Sequence, residues 1–135
     1  MTPNAAPLTP HDSRNSNPTA TGAGLTTLDP GAGYVTIINT YTAPERADAL
    51  MDLLVRATVE TIRYVSGFVS ANIHLSLDRT QVVNYAQWRS REAIAAAREN
   101  PSVVARIREA GAIADSFTPV QDELRYSVAA ASVCA

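Results

Sequence analysis

The segment from residue 68 to residue 88 constrains the fold most strongly, because it has the pattern of two strands joined by a tight turn. In FVSANIHLSL, apolar residues alternate with polar residues, which is the period of a half-buried strand. The sequence DRT follows as a short hairpin turn, and QVVNYAQW is rich in the β-branched and aromatic residues typical of strands. The alternation places Val69, Ala71, Ile73 and Leu75 on the apolar face, opposite Ser70, Asn72, His74 and Ser76.

The flanking sequence supplies two more strands and three helices. YVTIINTY predicts a strand, and the following helix has Thr42 as its expected N-cap and ends at Gly67. Ser90 is the expected N-cap of a helix over REAIAAAREN, which ends at Asn100-Pro101. A further helix is expected over PSVVARIREAGA, and a last strand over TPVQDELRYSV. The order β-α-β-β-α-α-β predicts an α+β, ferredoxin-like split βαβ fold, with helices on one face of an antiparallel sheet. Because the other face cannot simply be left apolar in water, we expect a homodimer that associates through the sheets.

This domain is expected to span residues 33–128, with tails on both sides. Residues 1–32 hold five of the eight prolines (Pro3, Pro7, Pro10, Pro18 and Pro30) and few large apolar residues. Such a segment buries too little surface to offset its ordering entropy, so we expect a disordered or extended tail. Residues 129–135 are expected to form a flexible C-terminal tail.

Composition and motifs disfavour several classes of function. The formal charge is −2 and the basic residues are scattered, which is unlike a nucleic-acid-binding face. Cys134 is the only cysteine, which excludes an internal disulfide, and neither His11 nor His74 has a partner at metal-ligand spacing. No apolar run approaches the roughly 18 residues of a membrane span, and no secretory pattern is present, so a cytoplasmic location is expected. There is no dinucleotide or phosphate-loop motif, so we expect an enzyme of this kind to use no metal, nicotinamide or flavin.

Polar side chains at inward-facing positions are the candidates for a site. Strand alternation puts Asn84 and Trp88 on one face of the third strand, and Arg108 falls within the apolar periodicity of the last helix. These donors need partners, which the protein or a ligand must supply. Structural interpretations remain open: Trp88 as a core plug, Asn84 paired with backbone, and Arg108 as a surface residue.

The sequence SGFVSANIHLSLDRT followed by VVNYAQWRS resembles the antibiotic biosynthesis monooxygenases, and the similarity runs from Gly33 to Val128. The resemblance implies a dimeric ferredoxin-like enzyme of polyketide pathways that needs no cofactor besides O₂. It places catalytic roles on Asn84, Trp88 and Arg108. It also implies a set of substrate-binding residues: His74, Ile73, Ile94, Asn39, Val35, Ile37 and Phe68.

The implied chemistry is oxidation of an aromatic polyketide phenol or anthrone to a quinone. Ile73 and Ile94 stand where a related enzyme has tyrosines, which keeps open a non-oxidative polyketide cyclase or an accessory binding protein of the same fold. A dimer with no pocket is a third possibility. Haem degradation, another activity of the family, is disfavoured because Asn39 is present but Ala97 and Ile107 replace the family's Trp and axial His.

Overall fold

The computed structural model of the protein describes residues 25–131, and residues 1–24 and 132–135 lie outside the described residues. Four strands and three helices follow one another in the predicted order. They are β1 (Val35–Thr42), α1 (Ala47–Glu60), β2 (Phe68–Leu75), β3 (Gln81–Trp88), α2 (Arg91–Arg98), α3 (Pro101–Ile113) and β4 (Ser116–Glu123), with short 3-10 turns at Pro30–Ala32 and Ile62–Tyr64.

The four strands form one sheet in the order β2-β3-β1-β4, and every neighbouring pair is antiparallel. The helices pack on one face of this sheet, here called the helix face. The predicted ferredoxin-like α+β class is therefore confirmed. Register places Tyr41, Asn39, Ile37 and Val35 of β1 opposite Val82, Asn84, Ala86 and Trp88 of β3.

Two of the predicted helix starts are confirmed and one is wrong. The Ser90 hydroxyl accepts a hydrogen bond from the Ala93 amide at 3.0 Å, and the Asn100 side chain accepts one from the Ser102 amide at 2.9 Å. Thr42, however, does not cap α1, because it is still paired with Gln81 as the last residue of β1. The helix begins four residues later, after Arg46.

A β-bulge shifts the start of β2. The register passes from Phe68 opposite Trp88 to Ser70 opposite Gln87, so one extra residue stands in β2. As a result Phe68 shares the helix face with Ala71, three residues away, which strict alternation does not predict.

The buried side chains form two clusters along the helix face. One contains Tyr41, Leu50, Leu54 and Val82; the other is built around Ile37, Ala86, Trp88, Ile94 and Ala97. Gly67 lies at the second cluster with φ of 88°, and an added Cβ would clash with the Ala93 side chain of α2. Glycine there lets α2 pack closely on the sheet.

The opposite face of the sheet, here called the open face, carries no helix from residues 25–131 but contacts the segment before β1. The Thr26 hydroxyl donates to Ser70 at 2.8 Å, and the Asn72 amide donates to Thr26 at 2.6 Å. The Gln87 side chain donates to the Thr27 carbonyl at 3.0 Å and is only 3% exposed. Thr26 and Thr27 of the predicted tail thus contact the open face; the first 24 residues of the tail, with His11, are outside the described residues.

Candidate functional site

A cavity of about 410 Å³ lies between the sheet and the three helices, where the two core clusters meet. Its floor consists of helix-face side chains of the strands, and its roof comes from α1, α2 and α3. Most of these side chains are apolar, among them Ile37, Leu54, Phe68, Ile94 and Val103. A volume of this size with apolar walls and a few polar groups is typical of a site for a small molecule.

Two amides lie side by side in the cavity floor. Asn39 of β1 and Asn84 of β3 are directly paired in the register, and both line the cavity. The side-chain oxygen Oδ1 of Asn84 is buried and has no hydrogen-bond partner among the described residues. A buried carbonyl without a hydrogen bond raises the free energy of the folded state. A donor on a ligand in the cavity can supply the missing hydrogen bond.

Trp88 lies at one end of the cavity floor, four residues from Asn84. Its indole is 6% exposed and meets the Phe68 ring edge to face, with ring centroids 5.5 Å apart and an interplanar angle of 82°. Both aromatic rings line the cavity. The indole therefore packs in the core and also borders the cavity, so the interpretation as a core plug and the role in a site are both compatible with its position.

Tyr41 lines the other end of the floor, although sequence reasoning assigned it no role. Burial raises the pKa of its hydroxyl to about 12, and its ring stacks on Phe117 with centroids 4.8 Å apart. The signal was present in the sequence, because Tyr41 shares the face of Asn39 by strand alternation.

The structure brings Arg106, and not Arg108, to the cavity. The buried residues of α3 are Val103 and Ala110, and Arg106 lines the cavity with them. Arg108 is exposed and does not line it. Five residues after Val103, it points about 140° away around the helix. Of the predicted stripe of Val104, Ile107 and Ala112, Ile107 lines the cavity and the other two do not.

Arg106 is held by one ion pair from α3 to α1 and by a second within α3. Its guanidinium donates to Glu60 at 2.7 Å, to Thr61 at 3.1 Å and to Glu109 at 3.4 Å. The hydrogen bond with Glu60 raises the pKa of the guanidinium above its ordinary value. The cavity wall thus includes a permanent positive charge whose position is fixed by acidic partners.

The other predicted site residues divide into two groups. Asn39, Ile37, Ile94 and Phe68 line the cavity, with Ile94 only 2% exposed. Three others do not line it: His74 is exposed on the open face opposite Val83, Ile73 packs against the cluster of Tyr41, and Val35 packs beside Trp88. His74 is one residue out of phase with Ile73, so it points to the opposite face.

Within residues 25–131, no group of three or more His, Cys, Asp or Glu side chains could hold a metal ion. No helix in that range is long and apolar enough to cross a membrane.

Comparison with known proteins gives concordant matches. The family model described as antibiotic biosynthesis monooxygenase matches residues 33–109. Over 78 residues the chain is 45% identical to tetracenomycin-F1 monooxygenase of Streptomyces glaucescens, covering 57% of this chain and 70% of that protein.

Two solved structures are similar along nearly their whole length. The monooxygenase ActVA-Orf6 of Streptomyces coelicolor, in complex with nanaomycin D, has a TM-score of 0.62 and 29% identity, over 76% of this chain and 96% of that one. The cofactor-independent oxygenase SnoaB of Streptomyces nogalater has a TM-score of 0.64 at 18% identity, over 71% of this chain and 97% of that one, which shows a common fold.

Proposed function

The chain belongs to the antibiotic biosynthesis monooxygenase family, and we propose that it oxidises an aromatic polyketide phenol or anthrone to a quinone, with O₂ as co-substrate and no cofactor. Its 45% identity to tetracenomycin-F1 monooxygenase supports an aromatic polyketide substrate. The nanaomycin D complex of ActVA-Orf6 supports a polyketide ligand for this fold.

The observation that carries the proposal is the buried, unpartnered Oδ1 of Asn84 in a cavity of about 410 Å³. A phenolic hydroxyl can donate to this oxygen, and the apolar walls match the faces of aromatic rings. The unmet hydrogen bond and the surrounding apolar surface thus select the same class of ligand.

The chemistry requires the substrate to reach its anionic form. Triplet O₂ reacts poorly with a neutral closed-shell phenol, but a phenolate or enolate can transfer one electron to it. The two radicals then form a C–O bond at the ring carbon. Loss of water from the resulting hydroperoxide leaves the quinone carbonyl, so one oxygen atom enters the product and the other leaves as water.

The residues of the cavity have separate roles in this sequence. The charge of Arg106 favours the substrate anion, taking the part that the resemblance placed on Arg108. The amide of Asn84 and the indole N–H of Trp88 donate to the developing oxyanion and peroxide. The apolar walls exclude water, which strengthens each of these interactions.

The direct test is O₂ consumption with an anthrone, with an anaerobic control and product analysis. We expect conversion to the anthraquinone only with O₂, and a loss of about 10²-fold in turnover for Asn84→Leu. Gln87→Leu is the matched control, since it alters an amide of the same strand on the open face. Equal conversion without O₂ would reject the monooxygenase function.

A non-oxidative cyclase or a binding protein is the second candidate, favoured by the apolar Ile94 in the cavity where a related enzyme has a tyrosine. It predicts tight binding of an aromatic polyketide, seen as a thermal shift, without O₂ uptake. The same assay therefore separates the two candidates.

A homodimer formed through the open face is part of the proposal. β4 is an edge strand, and its Val120, which pairs with Ile38 on the open face, is 47% exposed. A second copy would cover this apolar surface. Sedimentation analysis tests it: we expect the mass of a dimer, and a monomer at micromolar concentration would contradict it.

A further inference from the structure

We propose that Tyr41 positions the substrate by donating a hydrogen bond to a second oxygen on the bound polycycle, and thereby sets which ring carbon is oxidised. The inference rests on the proposed function and specifies its substrate class: a polycyclic phenol with two oxygen substituents close together at one end.

The register places Tyr41 beside the paired amides. Tyr41 and Asn39 are two residues apart on the same face of β1, a separation of about 7 Å along the strand. Trp88 lies much farther away, because it is six residues from Val82, the partner of Tyr41, or about 20 Å along β3. The polar groups of the floor are therefore concentrated on the side of Tyr41 and the two amides.

The floor between the amides and Trp88 is apolar. Ile37, Ala86 and Ala71 lie there, and all three line the cavity. Small and aliphatic side chains present a flat surface without hydrogen-bonding groups. A ring system with its oxygens at the Tyr41 end and bare carbon over Ala86 fits this distribution.

The Tyr41 hydroxyl is available to a ligand. The hydroxyl lines the cavity and makes no hydrogen bond to another of residues 25–131, and burial raises its pKa. The hydroxyl of Thr58, by contrast, is already engaged, since it donates to the Leu54 carbonyl at 2.8 Å. With a pKa of about 12 the phenol stays protonated at neutral pH and acts as a donor.

The position of the hydroxyl is fixed by packing. The ring is 7% exposed, belongs to a core cluster with Leu50 and Val82, and stacks on Phe117. A donor held in this way distinguishes a substrate with an oxygen at that place from one without it, which is the requirement for a specificity residue.

The test compares two forms of the enzyme on two substrates. Wild type and Tyr41→Phe are assayed for kcat/KM and product regiochemistry with a dihydroxyanthrone and with unsubstituted anthrone. Tyr64→Phe is the control, because Tyr64 is 76% exposed and does not line the cavity. Thermal melts of all variants show that they remain folded.

We expect Tyr41→Phe to lose about three- to tenfold in kcat/KM on the dihydroxyanthrone, as one hydrogen bond predicts, and nothing on anthrone. An equal loss on both substrates, or no loss on either, would overturn the inference. If wild type oxidises neither anthrone, the proposed function fails separately. Binding of dihydroxyanthraquinone and of anthraquinone to wild type and to Tyr41→Phe is then measured by quenching of the single tryptophan, Trp88. If Tyr41→Phe binds only the hydroxylated ligand more weakly than wild type does, the role of Tyr41 is supported. If it binds that ligand as tightly as wild type does, the role is refuted.

Discussion

Replacing Asn84 with leucine should increase the stability of the protein while lowering its turnover. The buried Oδ1 of Asn84 has no partner among the described residues, so the folded state carries the cost of removing that carbonyl from water. Leucine has a similar size and no polar atom. The substitution therefore removes the cost and adds apolar contact, but also removes the group that meets the substrate.

The size of the effect follows from the cost of an unsatisfied buried polar group. We expect the free energy of unfolding to rise by about 1–3 kcal/mol. In a domain of about 100 residues, each kcal/mol raises Tm by about 4–8 °C. Turnover should fall about 10²-fold or more, since a donor to the developing oxyanion is lost.

Gln87 offers the matched comparison, because it is a buried amide of the same strand whose hydrogen bonds are made. It accepts from Ser70 at 2.9 Å and donates to the Thr27 carbonyl at 3.0 Å. Gln87→Leu should lower the free energy of unfolding by about 1–3 kcal/mol, because it leaves those groups unpaired.

Urea unfolding of both variants, monitored by fluorescence, shows whether each substitution raises or lowers the free energy of unfolding relative to wild type. A stability loss for Asn84→Leu as large as that for Gln87→Leu would refute the reasoning, since it would show that the Asn84 amide is a structural group.

Four further predictions concern other parts of the site. Trp88→Phe should keep the fold and reduce turnover about 10²-fold, because it removes the indole N–H but keeps most of the bulk; unchanged kcat in a folded variant would remove Trp88 from the mechanism. Arg106→Gln should reduce kcat/KM in steady-state assays, whereas Arg108→Gln should not, because Arg106 lines the cavity and Arg108 does not; the reverse result would restore the role that the resemblance placed on Arg108. Gly67→Ala should lower Tm by several degrees in a thermal melt, because the added Cβ meets α2 at a backbone φ of 88°; a Tm equal to wild type would contradict this close approach. Since burial raises the pKa of Tyr41 from 10.0 to about 12, the stability it contributes is complete below pH 10 and is lost as pH rises to about 12, by about 3 kcal/mol in all; urea unfolding at pH 9 and 11 should show a smaller decline for Tyr41→Phe, and an equal decline would exclude Tyr41 as the source.

Strand positions were the part of the fold most accessible from sequence. The predicted third strand coincides with β3, and the pairing of Asn84 and Trp88 on one face needed only the two-residue period. Helix ends with a capping side chain were equally clear, as at Ser90 and Asn100. The helix starting near Thr42 lacked such a signal, since no side chain caps α1.

The candidate site was accessible in part, and the failures have definite causes. Arg108 was misplaced because a shift of one residue turns a helical side chain by about 100°, and apolar residues on several sides of α3 allow more than one phase. Phe68 reaches the cavity through a β-bulge, which inserts a residue and reverses the alternation before it.

The sequence by itself determined the order of the elements, the antiparallel sheet and the face shared by Asn84 and Trp88, because these depend on local periodicity. Only the tertiary structure decided that Asn84 lies beside Asn39 with its Oδ1 lacking a hydrogen-bond partner among the described residues. It also decided that Arg106 and not Arg108 borders the cavity, and that Tyr41 lines it. Those facts depend on register between strands and on the phase of helices against the sheet, which are set by packing between residues far apart in the chain.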